Sequence, residues 1–391
     1  MSHLPRAARP TVAFNALFLH FPFSGTGRYV QQIVRLADRW VDLALLGARV
    51  FPPVGETVGG SPVRLLQTPL DSLPRPLAKV WLEQVALARA ARQTGAALLH
   101  YPYFAAPIVS GLPIVTTVHD LVPLIQSEYR RTVAQRLYTG LVIAGLRRAA
   151  RVITDSAASA RDLRTRLGLP ESQIRVIPLA VDDRFRPLSG EADATWAQSV
   201  RARLGIVGPY FLYVGGFDRR KNVDRLIQAF ARFKRIGTPP HALVLVGERR
   251  AGESFFYDPL PDVEQLGLRD SVILAGRVGD DDVRALQTGA DAFVFPSLYE
   301  GFGLPPLEAM ACGAPVIAAN TSSLPEVVGE AGLLIDPTSV DELAQALARL
   351  AGDPELRREL GQRARSRAAG FTWEATVEAT ANVYREVAAC R

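Results

Sequence analysis

Ser297-Leu-Tyr-Glu300-Gly-Phe-Gly303-Leu-Pro-Pro-Leu-Glu308-Ala-Met-Ala-Cys-Gly313 is the stretch on which the reading of the fold turns. The apolar run Ala292-Phe293-Val294-Phe295 before it reads as a buried strand. Glu300-Gly301-Phe302-Gly303 then makes a turn, because glycine permits positive φ and close backbone approach. Pro305 and Pro306 suit the opening of a helix, where a missing N–H is no loss. The spacing places Glu308 in the first helical turn and ends the helix near Gly313. The unit is strand, glycine turn, helix N-terminus, with one carboxylate on the turn and one at the start of the helix.

That layout carries a chemical expectation. Backbone N–H groups of Gly303 and Leu304 would face a bound anion, aided by the helix dipole. Carboxylates cannot hold phosphate, but they accept hydrogen bonds from hydroxyls. An anion site between two carboxylates therefore suits a nucleoside diphosphate sugar, with ribose at one end and hexose at the other. Taken singly, Glu300 is an ordinary loop carboxylate and Glu308 an ordinary dipole partner; their combination favours the ligand.

Working outward, the 391 residues exceed what one core supports, so two domains are expected. With 48% hydrophobic and 21% charged residues the chain reads as soluble and globular, and no apolar run approaches a membrane span. Met1–Pro10 lacks the apolar core of a signal peptide. Two cysteines, Cys312 and Cys390, give no disulfide framework and point to a reducing cytoplasm. Five histidines without ligand spacing argue against structural zinc. No nucleic-acid partner is expected. Net charge is +6 overall, yet residues 1–188 hold 23 basic against 12 acidic side chains, a balance of +11, and the remainder 22 against 27, a balance of −5. The basic half could meet an anionic surface or acceptor.

Along the chain, Thr11–Leu19 reads as the first strand. The loop Phe23-Ser-Gly25-Thr-Gly27 follows, then a helix with Tyr29, Val30, Ile33, Leu36 and Ala37 on one face. Val30 stands where a dinucleotide fingerprint needs its third glycine, which weakens an NAD reading. Short β-branched runs at 97–100, 114–118, 152–154 and 174–179 alternate with helical patterns, the mark of a covered parallel sheet. Thr116-Thr-Val-His119-Asp120 puts a histidine at a strand end, where ligands gather in open α/β sheets. His119 is a site candidate against the alternative of a histidine satisfied by its own loop; Asp120 reads as a cap. Glu128–Arg151 reads as a basic amphipathic helix with Arg130, Arg131, Arg136, Arg147, Arg148 and Arg151. Such a face is either simply solvated or lies on anionic lipid.

The boundary is expected within 183–205. Phe211-Leu-Tyr-Val214 begins a second sheet, followed by Gly215-Gly-Phe-Asp-Arg-Arg220-Lys221-Asn222 and a helix capped by Asn222. Arg220 offers a planar fork and Lys221 a point charge to phosphate. Gly276-Arg-Val278-Gly279 ends a later strand and could meet a nucleobase through its backbone. Phe371-Thr-Trp373-Glu opens a last helix with an apolar stripe of Val377, Ala381, Val383, Tyr384 and Val387.

Taken together, Glu300-x7-Glu308, Arg220-Lys221-Asn222, His119-Asp120 and Phe371-Thr-Trp-Glu, in that setting, resemble the retaining glycosyltransferases of family 4 over nearly the whole chain, with a likeness to its mannosyltransferases. The resemblance implies an α/β GT-B fold: two Rossmann-like domains with parallel sheets facing across a cleft. Residues 1–188 would form the N-terminal acceptor domain, joined by a crossover helix at 372–391; residues 189–371 would hold the nucleotide sugar. It implies that Glu300 binds sugar hydroxyls near the reaction centre, Glu308 the ribose, and Val278 the base. Arg220, Lys221, Gly303 and Leu304, with Gly25 and Gly27 from the other domain, would hold the diphosphate; His119 would sit by the donor sugar. No metal or other cofactor is expected. Gly216 stands where many relatives carry a polar residue, which removes one diphosphate contact.

The function so implied is a cytoplasmic, retaining, metal-independent hexosyltransferase acting on a glycan or lipid-linked glycan, with an anionic membrane surface as a candidate partner. GDP-mannose is the expected donor, with UDP-glucose, UDP-GlcNAc and dTDP-rhamnose as rivals. Two other classes stay open: a nucleotide-sugar epimerase on the same fold, and a non-catalytic nucleotide- or glycan-binding subunit.

Overall fold

The computed structural model describes residues 9–21, 24–48, 57–58, 61–67, 74–126, 132–236, 239–250 and 255–390. The chain forms two compact units, Met1–Leu179 with Trp373–Arg391, and Ala180–Thr372.

The first unit is built on strands β1 (Thr11–Asn15), β2 (Asp42–Ala48), β3 (Thr57–Val58), β4 (Ser61–Leu66), β5 (Leu98–Tyr101), β6 (Ile114–Thr117), β7 (Arg151–Thr154) and β8 (Ile174–Val176). Their order is β3-β4-β2-β1-β5-β6-β7-β8, parallel throughout except for the β3–β4 pair. Helices α1 (Gly25–Leu36), α2 (Arg75–Trp81), α3 (Leu87–Arg92), α4 (Val122–Ile125), α5 (Val133–Leu146) and α6 (Ala157–Leu167) connect them. A π turn, Leu82–Ala86, joins α2 to α3. Strand residues such as Val12, Phe14, Leu99 and Val115 are fully buried. Strands covered on both faces read as continuous apolar runs, as these do.

The second unit carries α7 (Gly190–Arg203), β9 (Tyr210–Val214), α8 (Val223–Lys234), β10 (Ala242–Val246), α9 (Leu260–Gln265), β11 (Val272–Gly276), α10 (Asp280–Gly289), β12 (Ala292–Phe295), α11 (Leu304–Ala311), β13 (Val316–Ala319), α12 (Leu324–Val328), β14 (Leu333–Ile335), α13 (Val340–Gly352) and α14 (Pro354–Ala368). Its strands run parallel in the order β11-β10-β9-β12-β13-β14. This is the doubly wound order 3-2-1-4-5-6, with its reversal between β9 and β12.

Helix α15 (Trp373–Ala389) returns to the first unit. Its stripe of Val377, Ala381, Val383, Tyr384 and Val387 is buried, and it packs on α1, β5 and β7. Tyr384 OH meets His100 Nδ1 at 2.6 Å, and Thr376 Oγ1 donates to the Pro178 carbonyl at 2.8 Å.

Four local expectations change. Residues 180–188 belong to the second unit rather than the first. Arg284 of α10 fixes them, donating from Nε to the Arg186 carbonyl at 2.9 Å and from Nη2 to the Pro187 carbonyl at 3.3 Å. The Gly25–Gly27 segment is the first turn of α1, not a loop: Ser24 Oγ accepts from Gly27 N at 3.0 Å and caps the helix. Asn222 sits at the start of α8 in the left-handed region (φ 62°) without capping it; its amide instead donates to the carbonyls of Pro296 and Pro337, at 3.0 and 2.8 Å. The basic segment expected over 128–151 resolves into α5, opened by a capping box of Thr132 and Gln135, and strand β7. Arg130 and Arg131 lie outside the described residues, and Arg151 pairs with Glu386.

Candidate active site

The reversal between β9 and β12 brings two loops side by side at the carboxyl ends of the strands. The loop after β9 runs through Gly215 and Gly216 to a turn of 3-10 helix, Arg219–Lys221. Gly215 is required there, since a Cβ would lie 2.7 Å from the Tyr213 hydroxyl. Gly216 is not: the nearest atom to its Cβ would be Asp218 Oδ2 at 3.5 Å. The loop after β12 carries Glu300. Leu298 N donates to the Arg220 carbonyl at 2.7 Å and ties the two loops together.

Charge gathers at this junction. Lys221 Nζ lies 2.7 Å from Glu300 Oε1, and Arg220 Nη1 lies 3.0 Å from Glu300 Oε2. Arg220 Nε is 2.9 Å from Asp218 Oδ1, and Nη1 also donates to the Tyr299 carbonyl at 3.0 Å. The Lys221 ammonium stands 4.7 Å from the centre of the Phe295 ring. Lys221 and Glu300 are each 8% exposed. Burial alone would raise the Glu300 carboxyl, but the charges of Lys221 and Arg220 outweigh it and hold the group below the usual carboxylate range. Two cations and two carboxylates thus form a formally neutral cluster.

The Glu300 backbone is fixed by a third loop. Its N–H donates to Ser322 Oγ at 3.0 Å and its carbonyl accepts from Ser323 Oγ at 3.0 Å. Ser322 holds a φ of 51°, a strained value of the kind that clusters at functional sites. Phe302, between the two glycines, packs edge-on against Phe371 with 6.0 Å between ring centres. Gly303 has a φ of 122°, and a Cβ there would meet Leu324 Cδ2 at 2.9 Å. It is the cap position of α11, and Leu304 is the first helical residue. Neither N–H has an acceptor within the helix. Glu308 is buried in the second turn of α11, not the first. Val278, half-buried, follows β11 on the same rim of the sheet. Three strand spacings separate β11 from β12, about 14 Å.

The remaining sequence candidates are on the first unit. Gly27 is packed so that a Cβ would fall 1.8 Å from the Phe21 carbonyl oxygen. Its N–H is committed to Ser24, whereas Gly25, the first helical residue, has no acceptor for its N–H within α1. His119, just past β6, meets Asp155 with Nδ1 2.8 Å from Oδ2. The Tyr29 ring stands edge-on to the imidazole at 5.1 Å. Asp120 acts as a local cap, its Oδ1 accepting from Val122 N at 2.9 Å.

Sequence reasoning missed Asp155, Asp218, Ser322 and Ser323. Asp155 had a signal: it ends β7 as His119 ends β6, its neighbour in the sheet. The serines had only a weaker one, a short polar run after a buried strand.

Among the described residues, no three His, Cys, Asp or Glu side chains are placed to share a metal ion.

The fold is that of glycosyltransferases. The sucrose-phosphate synthase of Thermosynechococcus elongatus superposes with a TM-score of 0.74 at 26% identity, over 98% of this chain and all of that one. The architecture is GT-B. The description "Glycosyl transferases group 1" matches residues 200–367, and "Glycosyltransferase Family 4" matches residues 23–185. An O-antigen chain mannosyltransferase B of Escherichia coli is 34% identical over 69% of this chain and 70% of its own length. A D-inositol 3-phosphate glycosyltransferase of Acidothermus cellulolyticus is 33% identical over 94% of this chain and 86% of its own. The chain belongs to glycosyltransferase family 4.

Proposed function

We propose that this glycosyltransferase moves mannose from GDP-mannose to a hydroxyl of a growing glycan, with retention at the anomeric carbon and without a metal. The observation that carries the reading is the Arg220–Lys221–Glu300 cluster at the strand reversal of the second unit. A diphosphate arriving there competes with Glu300 for both cations, and Glu300, released, accepts hydrogen bonds from sugar hydroxyls. The N–H groups of Gly303 and Leu304 add a helix N-terminus to the anion site. Val278 serves the base, Glu308 the ribose, and His119 a sugar oxygen.

Bond-making takes place on the face that the diphosphate leaves. The acceptor oxygen bonds to the anomeric carbon as the bond from that carbon to phosphate oxygen breaks. The acceptor proton passes to the departing phosphate oxygen, so no protein nucleophile is needed. Negative charge grows on the diphosphate as it departs, and fixed cations are worth most at that moment. Arg220 and Lys221 take the part a divalent cation plays elsewhere. Mannose is favoured by the likeness to the O-antigen mannosyltransferase.

A lipid-linked acceptor is part of the proposal. Leu77, Val133 and Leu137 are exposed on α2 and α5. These helices are joined where Lys79 Nζ donates to Tyr138 OH at 3.2 Å, and Arg136 is exposed on α5. Apolar and basic groups together suit an anionic bilayer surface. No helix among the described residues is long and apolar enough to cross a membrane.

The test is a panel of nucleotide sugars with EDTA present. GDP-mannose should raise the melting temperature and be hydrolysed slowly without acceptor. A better response to a uridine or thymidine donor would replace the sugar assignment. UDP-GlcNAc turnover to an epimer would replace the reaction, and dependence on added metal would remove the role given to the cations. Binding without any turnover would leave a non-catalytic subunit. Failure to sediment with anionic vesicles at low salt would remove the membrane surface.

A further inference from the structure

The rim of the second sheet is closed on one side of the Arg220–Lys221–Glu300 cluster and open on the other. Toward β13, the loop carrying Thr321, Ser322 and Ser323 folds onto the loop after β12: Thr321 Oγ1 donates to the Ser297 carbonyl at 3.3 Å, and both serines hold the Glu300 backbone. Toward β10 and β11 the strand ends present glycine. Gly215 follows β9, Gly247 follows β10, and Gly276 ends β11. Gly215 N donates to the Val246 carbonyl at 3.0 Å and Gly247 N to the Gly276 carbonyl at 2.9 Å. A Cβ on Gly247 would fall 2.2 Å from the Gly215 carbonyl oxygen. The three ends form a glycine shelf two strand spacings wide, about 10 Å. It begins at the loop that carries Arg220 and Lys221.

Glu248 stands on that shelf, and the chain beside it is anchored. Arg249 grips Asp258 with both arms of its fork, Nε to Oδ1 at 2.8 Å and Nη2 to Oδ2 at 2.9 Å. The Arg250 guanidinium lies 4.6 Å from the centre of the Phe256 ring. Phe256 pairs through its backbone with Asp218, and Tyr257 N donates to the Phe217 carbonyl at 2.7 Å. The loop after β10 is thereby braced against the loop that carries the cations. The Glu248 carboxylate leans toward the β11 loop, with Oε2 3.7 Å from Arg277 Nε and 3.6 Å from Arg250 Nη2. Both distances exceed hydrogen-bond reach, and the side chain is 49% exposed.

We propose that Glu248 selects the nucleotide: its carboxylate accepts from N1–H and the 2-amino group of a guanine lying on the glycine shelf. This rests on the glycosyl-transfer reading above and adds to it the residue that reads the base. Guanine alone among the nucleobases offers two adjacent donors on its pairing edge. Adenine and cytosine offer a donor beside an acceptor, and uracil and thymine a donor between two acceptors. An ionised carboxylate only accepts. It meets guanine with two charge-assisted hydrogen bonds and turns an oxygen against a lone pair of every other base. Arg250 and Arg277 offset the repulsion between this carboxylate and a diphosphate on the same rim.

The experiment measures binding of four probes to the full chain by calorimetry: GDP, IDP, which lacks the 2-amino group, UDP and ADP. Wild type should bind GDP about tenfold or more tighter than IDP, the scale of one hydrogen bond to a charged group. In Glu248→Ala the two should bind alike, and Glu248→Gln should lose most of the preference. The GDP-to-IDP ratio is the measure, because removing a negative charge from the rim raises the affinity of every diphosphate together. Melting curves confirm that each variant is folded. A wild type indifferent to the 2-amino group, or a ratio unchanged in Glu248→Ala, would overturn the proposal and leave the GDP-mannose reading standing. Tighter binding of UDP or ADP than of GDP by wild type would overturn both. A wild type that binds none of the four would overturn the glycosyl-transfer reading beneath them.

Discussion

The two units place an acid–base pair at the same structural address, the carboxyl end of parallel strands, and treat it in opposite ways. In the second unit Glu300 is gripped by Lys221 and Arg220 and held below the ordinary carboxylate range. In the first, Asp155 faces a single histidine and is raised by burial. One cluster is charge-balanced and must exchange partners to take up an anion. The other keeps a carboxylate oxygen, Asp155 Oδ1, unmet. The sheet supplies the address, and the neighbouring cations decide the chemistry.

The sharpest way to break this contrast is to remove a cation from the balanced cluster. Lys221→Met should lower kcat roughly 10²–10³-fold, the scale of one lost electrostatic contact to a developing anion. Steady-state rates with the preferred donor measure it, and melting shows whether the buried Glu300 left behind also costs stability. A variant with ordinary turnover would mean that Lys221 serves only to neutralise Glu300. The next effect in size belongs to the backbone. Gly303→Ala forces a side chain into a φ of 122° and against Leu324 Cδ2. It should destabilise by about 1–3 kcal/mol in denaturant unfolding. An unchanged midpoint would show that the α11 entry relaxes freely.

Acid and base should separate the pairs. The depressed value of Glu300 contributes stability that is present above its unfolded pKa and lost as pH falls through the folded one. The raised value of His119 contributes stability that is full below about pH 6.5 and lost as pH rises through the folded one. Melting temperature against pH should therefore lose its acid slope in Glu300→Gln and its alkaline slope in Asp155→Asn. The same slope altered by both would mean that the two pairs are not independent.

Much of the second unit's candidate cluster could be read directly from the sequence. Arg220, Lys221 and Glu300 each follow a strand by a few residues, and a doubly wound sheet carries such loops to one rim. The partners that complete it were not legible. Ser322 and Ser323 reach Glu300 from a third loop, across 22 and 23 residues, and no periodicity announces such a bond. Asp155 is 36 residues from His119. Gly27 misled for a related reason. A glycine between strand and helix reads as a phosphate cradle, but here the Phe21 carbonyl occupies the space of its missing side chain. The unit boundary moved because Arg284, nearly a hundred residues downstream, captures the carbonyls of Arg186 and Pro187. Local pattern fixes elements; long-range hydrogen bonds fix where their ends belong.

The smallest expected effect tests how α15 is held to the first unit. Glu386 meets Arg151 at 2.5 Å and Arg175 at 2.7 Å, and both cations lower its carboxyl. Its side chain is 35% exposed, so solvent and salt screen the attraction. Glu386→Gln should cost less than about 1 kcal/mol, and less still at high salt. On the same helix Tyr384→Phe deletes a fully buried hydroxyl and strands His100 Nδ1, which should cost about 1–3 kcal/mol with little salt dependence. If the order were reversed, the helix would be held by surface charge. If the order holds, α15 acts on the first unit through buried hydrogen bonds, and the visible ion pairs matter least.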